Sequence, residues 1–316
     1  MTFEAIKAAA RRLHEFSEWP EILDLIERVG HREGISVWDH PFASCQAVGG
    51  TEAAALPGAA AVFCSLLSIH LVDDMLDDEP CGQFRRLGAG PAANLALALQ
   101  AGGHRLLSDP SLEPGVSAAA QRILARMALG TAYGQGLDIR EARSEEEYWR
   151  IVEAKTPPLF GAAFEIGALL GGAPAEVCER LERIGRLLGR FIQVSDDLSD
   201  ALQTPAKVDW NRPSNNLAIL YALTAHHPAR GRFRELAARS GDPEALSEAH
   251  QVLLKSGAVS YCTFKMIEFS QEAQEILNRT PLPDPEPVAR VLRLNLRPLH
   301  RLLENVGVEE PELITV

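Results

Sequence analysis

Two stretches of the sequence each combine a long apolar run with a cluster of aspartates at its end. The first cluster includes Asp73 and Asp77, and the second includes Asp196 and Asp200. Residues four apart lie on one face of a helix, so the two carboxylates of each pair should point in the same direction. Four like charges held close together repel one another unless cations lie between them. The pattern therefore predicts two long helices whose acidic ends face a common, cation-binding site.

The chemistry of this predicted site follows from its ligands, which are all oxygen atoms. Oxygen ligands favour hard divalent cations, and Mg²⁺ is commonly bound by one or two carboxylates together with phosphate groups. We therefore expect Mg²⁺ as the cofactor and a diphosphate group between the clusters. A solvated helix end is the alternative for either cluster alone, although a helix C-terminus disfavours so much negative charge. The candidate metal ligands are Asp73, Asp74, Asp77, Asp196, Asp197 and Asp200.

The composition favours a helical protein. Hydrophobic residues make up 46% of the 316 residues, which is enough for a sizeable core. Ala and Leu dominate, and runs of β-branched residues are few. Helical segments are predicted at 53–78, 145–171 and 174–202, among others, and Gly or Pro residues separate them. No repeat or linker divides the chain, so we predict one all-α domain over residues 1–316.

One apolar segment allows two interpretations. Residues 53–72 contain no Asp, Glu, Lys or Arg and are long enough to span a bilayer. The same segment contains Pro57 and Gly58, is rich in Ala and leads directly into Asp73. A fully buried helix in the centre of a bundle has the same composition. We favour the buried helix and expect no transmembrane segment.

Charge and cysteine content limit the partners and the compartment. The net charge of −12 argues against nucleic acid or an anionic membrane as a partner, because both are polyanions. An anionic substrate can still bind if metal ions reverse the local sign of the charge. The five cysteines are odd in number, are scattered and form no CxxC pair, which favours a reducing, cytoplasmic compartment.

Cationic and polar side chains near the clusters are candidates for binding the diphosphate. Lys155 and Thr156 end the segment EEEYWRIVEAKT, and Lys207 follows the second cluster closely. A lysine in such a place is usually solvated, but beside a metal–diphosphate complex its ammonium would neutralise phosphate charge. The predicted diphosphate-binding residues are Lys155, Thr156, Gln193, Lys207, Arg85 and Arg86.

In order and spacing, these motifs resemble those of the trans-isoprenyl diphosphate synthases, or polyprenyl synthetases. The resemblance extends from Pro41 to Leu277. The matching segments are DDMLD at 73–77, GQGLD at 134–138, the segment 145–171 with Lys155 and Thr156, QVSDDLSD at 193–200, and the loop with Lys207 and Asp209.

The resemblance implies a fold, a metal count and an assembly. The fold is an isoprenoid synthase-type helical bundle around a central apolar cavity, with three bound Mg²⁺ ions and a homodimeric assembly. Asp73 and Asp77 would hold two of the ions, and Asp196 the third, together with Asp200 and Gln193. Lys155, Thr156 and Lys207 would contact an allylic diphosphate. The residues that the resemblance implies as catalytic are Asp73, Asp77, Asp196 and Lys155.

The chain departs from the family where the family binds isopentenyl diphosphate. The usual Gly-Lys-Arg-x-Arg-Pro element is replaced by VWDHP, with His40–Pro41 in place of Arg-Pro. Leu66 stands in place of a histidine, Arg85–Arg86 are displaced, and Ser214 replaces a lysine. Each lost charge-assisted contact is worth about 1.5–3 kcal/mol, so a second diphosphate should bind weakly.

These features predict a Mg²⁺-dependent prenyltransferase that ionises an allylic prenyl diphosphate. The acceptor is isopentenyl diphosphate or another nucleophile, and the departures favour another nucleophile. Two alternatives stay open, a class I terpene cyclase and a non-catalytic subunit of a heteromeric prenyl synthase. Ser68 and Ile69 are expected to line the chain-length pocket, and the lack of an aromatic residue there favours C15 or C20 substrates over C10.

Overall fold

The computed structural model describes residues 3–30 and 35–305. This part of the chain contains sixteen α-helices and three short 3₁₀ helices joined by turns, and it contains no β-strand. The predicted all-α class is therefore confirmed, whereas the single domain over 1–316 stays a prediction. The α-helices are α1 Phe3–Arg11, α2 His14–Ser17, α3 Pro20–Arg28, α4 His40–Ala47, α5 Glu52–Leu76, α6 Gln83–Leu87, α7 Ala89–Leu106, α8 Pro114–Asp138, α9 Glu145–Lys155, α10 Pro157–Leu170, α11 Ala175–Ala201, α12 Leu217–Thr224, α13 Arg230–Ala237, α14 Pro243–Ser256, α15 Ala258–Arg279 and α16 Glu286–Asn305.

Helix α5 lies at the centre of the bundle and carries the first acid cluster at its C-terminal end. It begins after Thr51, whose side chain accepts a hydrogen bond from the Ala54 N–H. Helices α1, α4, α7 and α10 pack around it. Its length and composition would let it cross a membrane, but 67% of its most apolar stretch is buried inside the bundle. This burial favours the core helix over the membrane span.

Helix α11 carries the second acid cluster in its last turns and packs against α10 and α15. Its contact with α10 is close because glycines lie at the crossing. A Cβ on Gly189 would lie 2.7 Å from the Cα of Pro157, which is closer than side chains pack. The glycine therefore lets the backbone of α10 lie directly against the helix that carries Asp196 and Asp200.

The single helix predicted over residues 145–171 is two helices. Helix α9 ends at Lys155 and α10 begins at Pro157, with Thr156 between them. Pro157 and Pro158 lack the N–H that a continuous helix would need, and a proline also restricts the backbone of the residue before it. The break places Lys155 and Thr156 at the junction of the two helices.

The VWDHP segment packs into the core. The ring of Trp38 stacks on Phe3 with ring centroids 5.1 Å apart. His40 is fully buried between Phe160 and Phe164, with ring centroids 5.5 and 5.0 Å away. Neither ring nitrogen of His40 has a hydrogen-bond partner. Burial lowers the pKa of His40 from 6.5 to about 3, because the charged imidazolium would lose its hydration.

We expect His40 to make the protein less stable in mildly acidic solution. Below pH 6.5 the unfolded chain binds a proton that the folded chain takes up only near pH 3, so stability falls with pH. Between about pH 7.5 and 5.5 this linkage costs about 1.4 kcal/mol. Urea unfolding of His40→Leu should show a pH dependence weaker by that amount. An unchanged dependence would contradict a neutral, buried His40.

Candidate active site

The two acid clusters face one cavity of about 990 Å³. Helices α5 and α11 form two of its walls, and α8, α9 and the α11–α12 loop (residues 202–216) complete its polar end. Its apolar part is lined by residues that include Leu66, Leu159 and Phe160. The sequence-predicted residues that line the cavity are Ile69, Asp73, Asp77, Lys155, Thr156, Gln193, Asp196, Asp197, Asp200 and Lys207.

Asp73, in the last turn of α5, meets polar side chains from α8 and α9. Lys155 Nζ lies 3.5 Å from Asp73 Oδ1 and 2.6 Å from Asp138 Oδ2. The side-chain amide of Gln135 donates a hydrogen bond to the Asp73 carboxylate. Asp138 and Gln135 both belong to the GQGLD segment, so this segment anchors the lysine and the first cluster to each other.

Asp77, at the C-terminal end of α5, is paired with Arg212 from the α11–α12 loop. Arg212 Nη1 also donates a hydrogen bond to the backbone carbonyl of Asp138 at 2.8 Å. The loop that follows the second cluster therefore contacts the first cluster directly.

The cations at the first cluster compensate for burial and for repulsion between carboxylates. Burial and the neighbouring charge of Asp73 raise the pKa of Asp77, and Lys155 and Arg212 oppose that shift. Burial disfavours the charged ammonium of Lys155, but Asp73 and Asp138 outweigh burial and raise its pKa. Lys155 therefore stays protonated at neutral pH.

The second cluster is tied to the α9–α10 junction. Thr156 Oγ1 donates a hydrogen bond to Gln193 Oε1 at 2.5 Å, and Gln193 Nε2 donates to Asp197 Oδ1 at 2.9 Å. Burial raises the pKa of Asp200, and the charge of Lys207 opposes this shift. Thr156 and Gln193, two of the predicted diphosphate-binding residues, are thus hydrogen-bonded to each other.

Asp197, a predicted metal ligand, is held by hydrogen bonds from several parts of the protein. Its side chain is buried, and Asp197 Oδ2 accepts hydrogen bonds from Tyr148 Oη at 2.7 Å and from the Leu217 N–H at 2.8 Å. Asp197 Oδ1 accepts a hydrogen bond from Gln193, so both carboxylate oxygens of Asp197 are hydrogen-bonded to protein donors. Burial raises the pKa of Asp197 to about 7, an effect that these hydrogen bonds oppose. Asp197 thus links α9, α11 and α12, and its role as a metal ligand stays a prediction.

Four further predicted residues lie away from the cavity. The Asp74 carboxylate accepts a hydrogen bond from the backbone N–H of Gln83, and Asp74 is not among the residues that line the cavity. Arg85 pairs with Asp78, and Arg86 pairs with Asp24 at 2.7 Å, so both arginines are engaged on the surface. The hydroxyl of Ser68 donates to the Ala96 carbonyl at 2.8 Å on the α7 side of α5. These four side chains are therefore not among the residues that line the cavity, whereas Ile69 is one of them.

Sequence reasoning missed two residues of this site and gave little weight to a third. Arg212 and Tyr148 are absent from the sequence-based predictions, and Asp138 enters them only as part of the GQGLD segment. Tyr148 lies seven residues, or two helical turns, before Lys155, a spacing that places both on one side of α9. The segment NRPSNN contains Arg212 and the hydrogen-bonding Asn215 and Asn216. A polar loop of this kind after an acid cluster was the available signal.

The close approach of α8 to α9 explains a glycine of the GQGLD segment. A Cβ on Gly134 would lie 2.4 Å from the carbonyl carbon of Ala154 and 2.4 Å from the nitrogen of Lys155. No side chain fits at that distance, so a glycine is needed here. By contrast, a Cβ on Gly136 would meet no atom within 4 Å.

The donor set of the cavity fits Mg²⁺. Asp73, Asp77, Asp196 and Asp200 line one space and offer hard carboxylate oxygens. Within residues 3–30 and 35–305, no group of three His, Cys, Asp or Glu side chains is already arranged around a single metal position. Lys155 and Arg212 instead supply positive charge to the first cluster. Mg²⁺ would therefore bind to carboxylates that now pair with protein cations.

The chain is similar to known proteins in sequence and in fold. A family model described as polyprenyl synthetase matches residues 43–253. The nonaprenyl diphosphate synthase of Mycobacterium tuberculosis is 30% identical over 252 residues, which cover 73% of this chain and 72% of that protein. The geranylgeranyl diphosphate synthase of Methanosarcina mazei is 28% identical over 246 residues, which cover 74% and 76%. A polyprenyl synthetase structure from Streptomyces coelicolor A3(2) has a TM-score of 0.78 and 22% identity, and covers 92% of this chain and 94% of that one, so it shares the fold.

We expect Gly134→Ala to displace Lys155 and lower the rate of pyrophosphate release from a prenyl diphosphate by about 100-fold. A shift of about 1 Å in a positioning group is sufficient for a loss of this size. Gly136→Ala is the matched control, because it adds the same methyl group to the same helix in open space. Equal activity of the two variants, with unchanged circular dichroism, would contradict the positioning role of the α8–α9 contact.

Proposed function

This chain belongs to the polyprenyl synthetase family and is a prenyltransferase, and we propose that it ionises an allylic prenyl diphosphate with Mg²⁺ as cofactor. The observation that carries the proposal is that both acid clusters line one cavity with Lys155 and Lys207. Carboxylates repel a diphosphate unless additional positive charge accompanies it. Lewis-acid stabilisation of the leaving diphosphate is the chemistry that Mg²⁺ would supply.

In the proposed reaction the allylic C–O bond breaks and its electron pair leaves with the diphosphate. An allylic carbocation remains in the cavity. Lys155, Thr156 and Lys207 lie where they can bind phosphate oxygens, so they would stabilise the negative charge as it develops. Apolar side chains such as Leu66 and Leu159 would keep water from the cation. The acceptor then donates an electron pair to the cation to form the new bond and loses a proton.

We propose that the acceptor is not isopentenyl diphosphate. The positions that correspond to the family's cationic element are filled by side chains such as Trp38 and His40, which pack into the core. The described cations that line the cavity are Arg28, Lys155, Lys207 and Arg212, and several already pair with acids. Few cations are therefore left in this part of the chain for a second diphosphate, which supports a less charged acceptor.

We propose C15 or C20 prenyl diphosphates as the preferred substrates. The α5 wall of the cavity is formed by Leu66, Leu67 and Ile69, which are aliphatic side chains. The aromatic side chains in the cavity lining, such as Trp38 and Phe160, belong to other elements. Apart from His70 beside the first cluster, the α5 wall has no ring side chain, which leaves room for a longer chain along this helix.

We propose that the chain acts as a homodimer through α7 and α8. Leu97 on α7 is 69% exposed, and Leu129 and Tyr133 on α8 are 75% and 56% exposed. Helices α7 and α8 contact each other, and apolar side chains that they expose can be covered by another molecule. A second copy of the chain could cover them in a symmetric contact that uses the same surface twice. Sedimentation that shows only a monomer would contradict this assembly.

We propose a reducing, cytoplasmic location for the enzyme. All five cysteines are free thiols, and Cys81 is exposed. Exposed thiols persist in compartments that keep cysteine reduced. Oxidised Cys81 in protein isolated from its native cells would argue against this location.

The two alternatives predict different behaviour. A terpene cyclase would release cyclic hydrocarbons from a prenyl diphosphate without any acceptor. A non-catalytic subunit would release no pyrophosphate alone and would need a second protein. The subunit is disfavoured because Asp73, Asp77 and Lys155 are all retained and face the cavity with the second cluster.

The test is incubation with C10, C15 and C20 diphosphates in Mg²⁺, with and without isopentenyl diphosphate, followed by mass analysis. We expect pyrophosphate release, faster with C15 or C20, and no dependence of the rate on isopentenyl diphosphate. Elongated diphosphates as the main products would restore isopentenyl diphosphate as the acceptor. Cyclic hydrocarbons would favour the cyclase.

In the same assay, Asp73→Asn and Asp196→Asn should each lower pyrophosphate release by about a thousandfold, because each removes a carboxylate of the cavity. Asp74→Asn is the neighbouring control, and we expect a loss of less than about tenfold because its side chain points away from the cavity. Full activity of Asp73→Asn would remove the proposed role of the first cluster.

A further inference from the structure

Arg212 joins the two halves of the polar site. It belongs to the α11–α12 loop, which follows the second cluster, yet its guanidinium pairs with Asp77 of the first cluster. Arg212 Nη1 also donates to the Asp138 carbonyl at 2.8 Å. The side chains of Arg212 and Asp77 are only 22% and 23% exposed, so water screens this pair less than a surface pair. This ion pair and the hydrogen bonds that Asn215 donates to Asp138 hold the loop across the cavity.

The other cation of the first cluster is held differently. Lys155 contacts two carboxylates, those of Asp73 and Asp138, and Asp138 is not among the predicted metal ligands. Lys155 therefore keeps a carboxylate partner whatever binds to Asp73. The carboxylate that pairs with Arg212, by contrast, is itself a proposed metal ligand, and its other contact is a neutral carbonyl oxygen. In the part of the chain that the structure describes, a metal ion at Asp77 would thus take the only carboxylate partner of Arg212, whereas Lys155 would keep Asp138.

We propose that Arg212 is an exchangeable counter-cation: it neutralises Asp77 while the site is empty and binds the diphosphate when metal and diphosphate arrive together. The proposal rests on the proposed metal–diphosphate site. Arg212 needs a new anion once Asp77 binds a metal ion, and the diphosphate is the anion that arrives in the same cavity. A guanidinium also matches phosphate oxygens with two parallel N–H donors.

This exchange makes metal and diphosphate binding cooperative. A metal ion alone must displace Arg212 from Asp77 and leave the guanidinium in the cavity without an anion. A metal–diphosphate complex displaces it and provides the anion as well. Arg212 therefore opposes the metal alone and favours the complex, which is a coupling free energy between two ligands. The same loop has Ser214 where the family carries a lysine. Arg212 is therefore the cationic side chain that follows Lys207 in this loop.

The experiment measures two affinities of the full chain, neither of which needs a prenyl substrate. Mn²⁺ binding in the absence of phosphate is followed by electron paramagnetic resonance. Binding of inorganic pyrophosphate in saturating Mg²⁺ is followed by calorimetry. We expect Arg212→Ala to bind Mn²⁺ about tenfold more tightly and Mg²⁺–pyrophosphate about tenfold more weakly than the unaltered chain. These opposite changes are the signature of the exchange, since general damage to the site would weaken both.

Two further variants control for charge and folding. Arg126→Ala removes an exposed arginine that pairs with Glu165 between α8 and α10, outside the cavity, and should change neither affinity. Arg212→Gln keeps most of the side-chain volume and replaces Arg212→Ala if the latter fails to fold. Circular dichroism and thermal unfolding report the folding of each variant.

The outcomes separate this inference from the proposed function. If Arg212 variants weaken both affinities or change neither, the exchange is wrong while the metal site stands. If the unaltered chain binds neither Mn²⁺ nor Mg²⁺–pyrophosphate, both the site and the exchange are wrong. Opposite changes without any prenyl transfer would support the exchange and contradict only the reaction.

Discussion

The crowding of negative charge between α5 and α11 is the constraint on which the rest of the site depends. Carboxylates from two helices share one cavity, and burial makes their repulsion stronger than it would be in water. The protein compensates with Lys155 and Arg212, which come from different parts of the chain. The break between α9 and α10 and the glycine contacts of α8 and α11 position one of these cations and the helices around it. The packing of the helices therefore brings acidic and basic side chains that are distant in sequence into one cavity.

Much of the site could be predicted because helical periodicity is a local property. Asp73 with Asp77, and Asp196 with Asp200, follow from spacing alone, and each pair lines the cavity. Neighbouring residues on a helix point about 100° apart, so the adjacent aspartates have different surroundings. Asp74 accordingly turns toward Gln83, and Asp197 is engaged by Tyr148.

The contacts that could not be predicted are those between elements distant in sequence. Arg212 and Asp77 are 135 residues apart, and no pattern within either segment indicates the pairing. Arg85 and Arg86 illustrate the opposite error, since closeness in sequence to the first cluster did not bring them into the cavity. Local composition identifies a helix face or a polar loop, whereas the packing of whole helices decides which of these surfaces meet.

The burial of Trp38 and His40 limits the side chains that position 40 can accept. Both rings are part of the hydrophobic interior, beside Phe3, Phe160 and Phe164. An arginine at position 40 would place an unpaired charge among phenylalanine rings, which is strongly unfavourable. A cation there would require the surrounding rings to change as well, so no single substitution at position 40 can create a second cationic subsite.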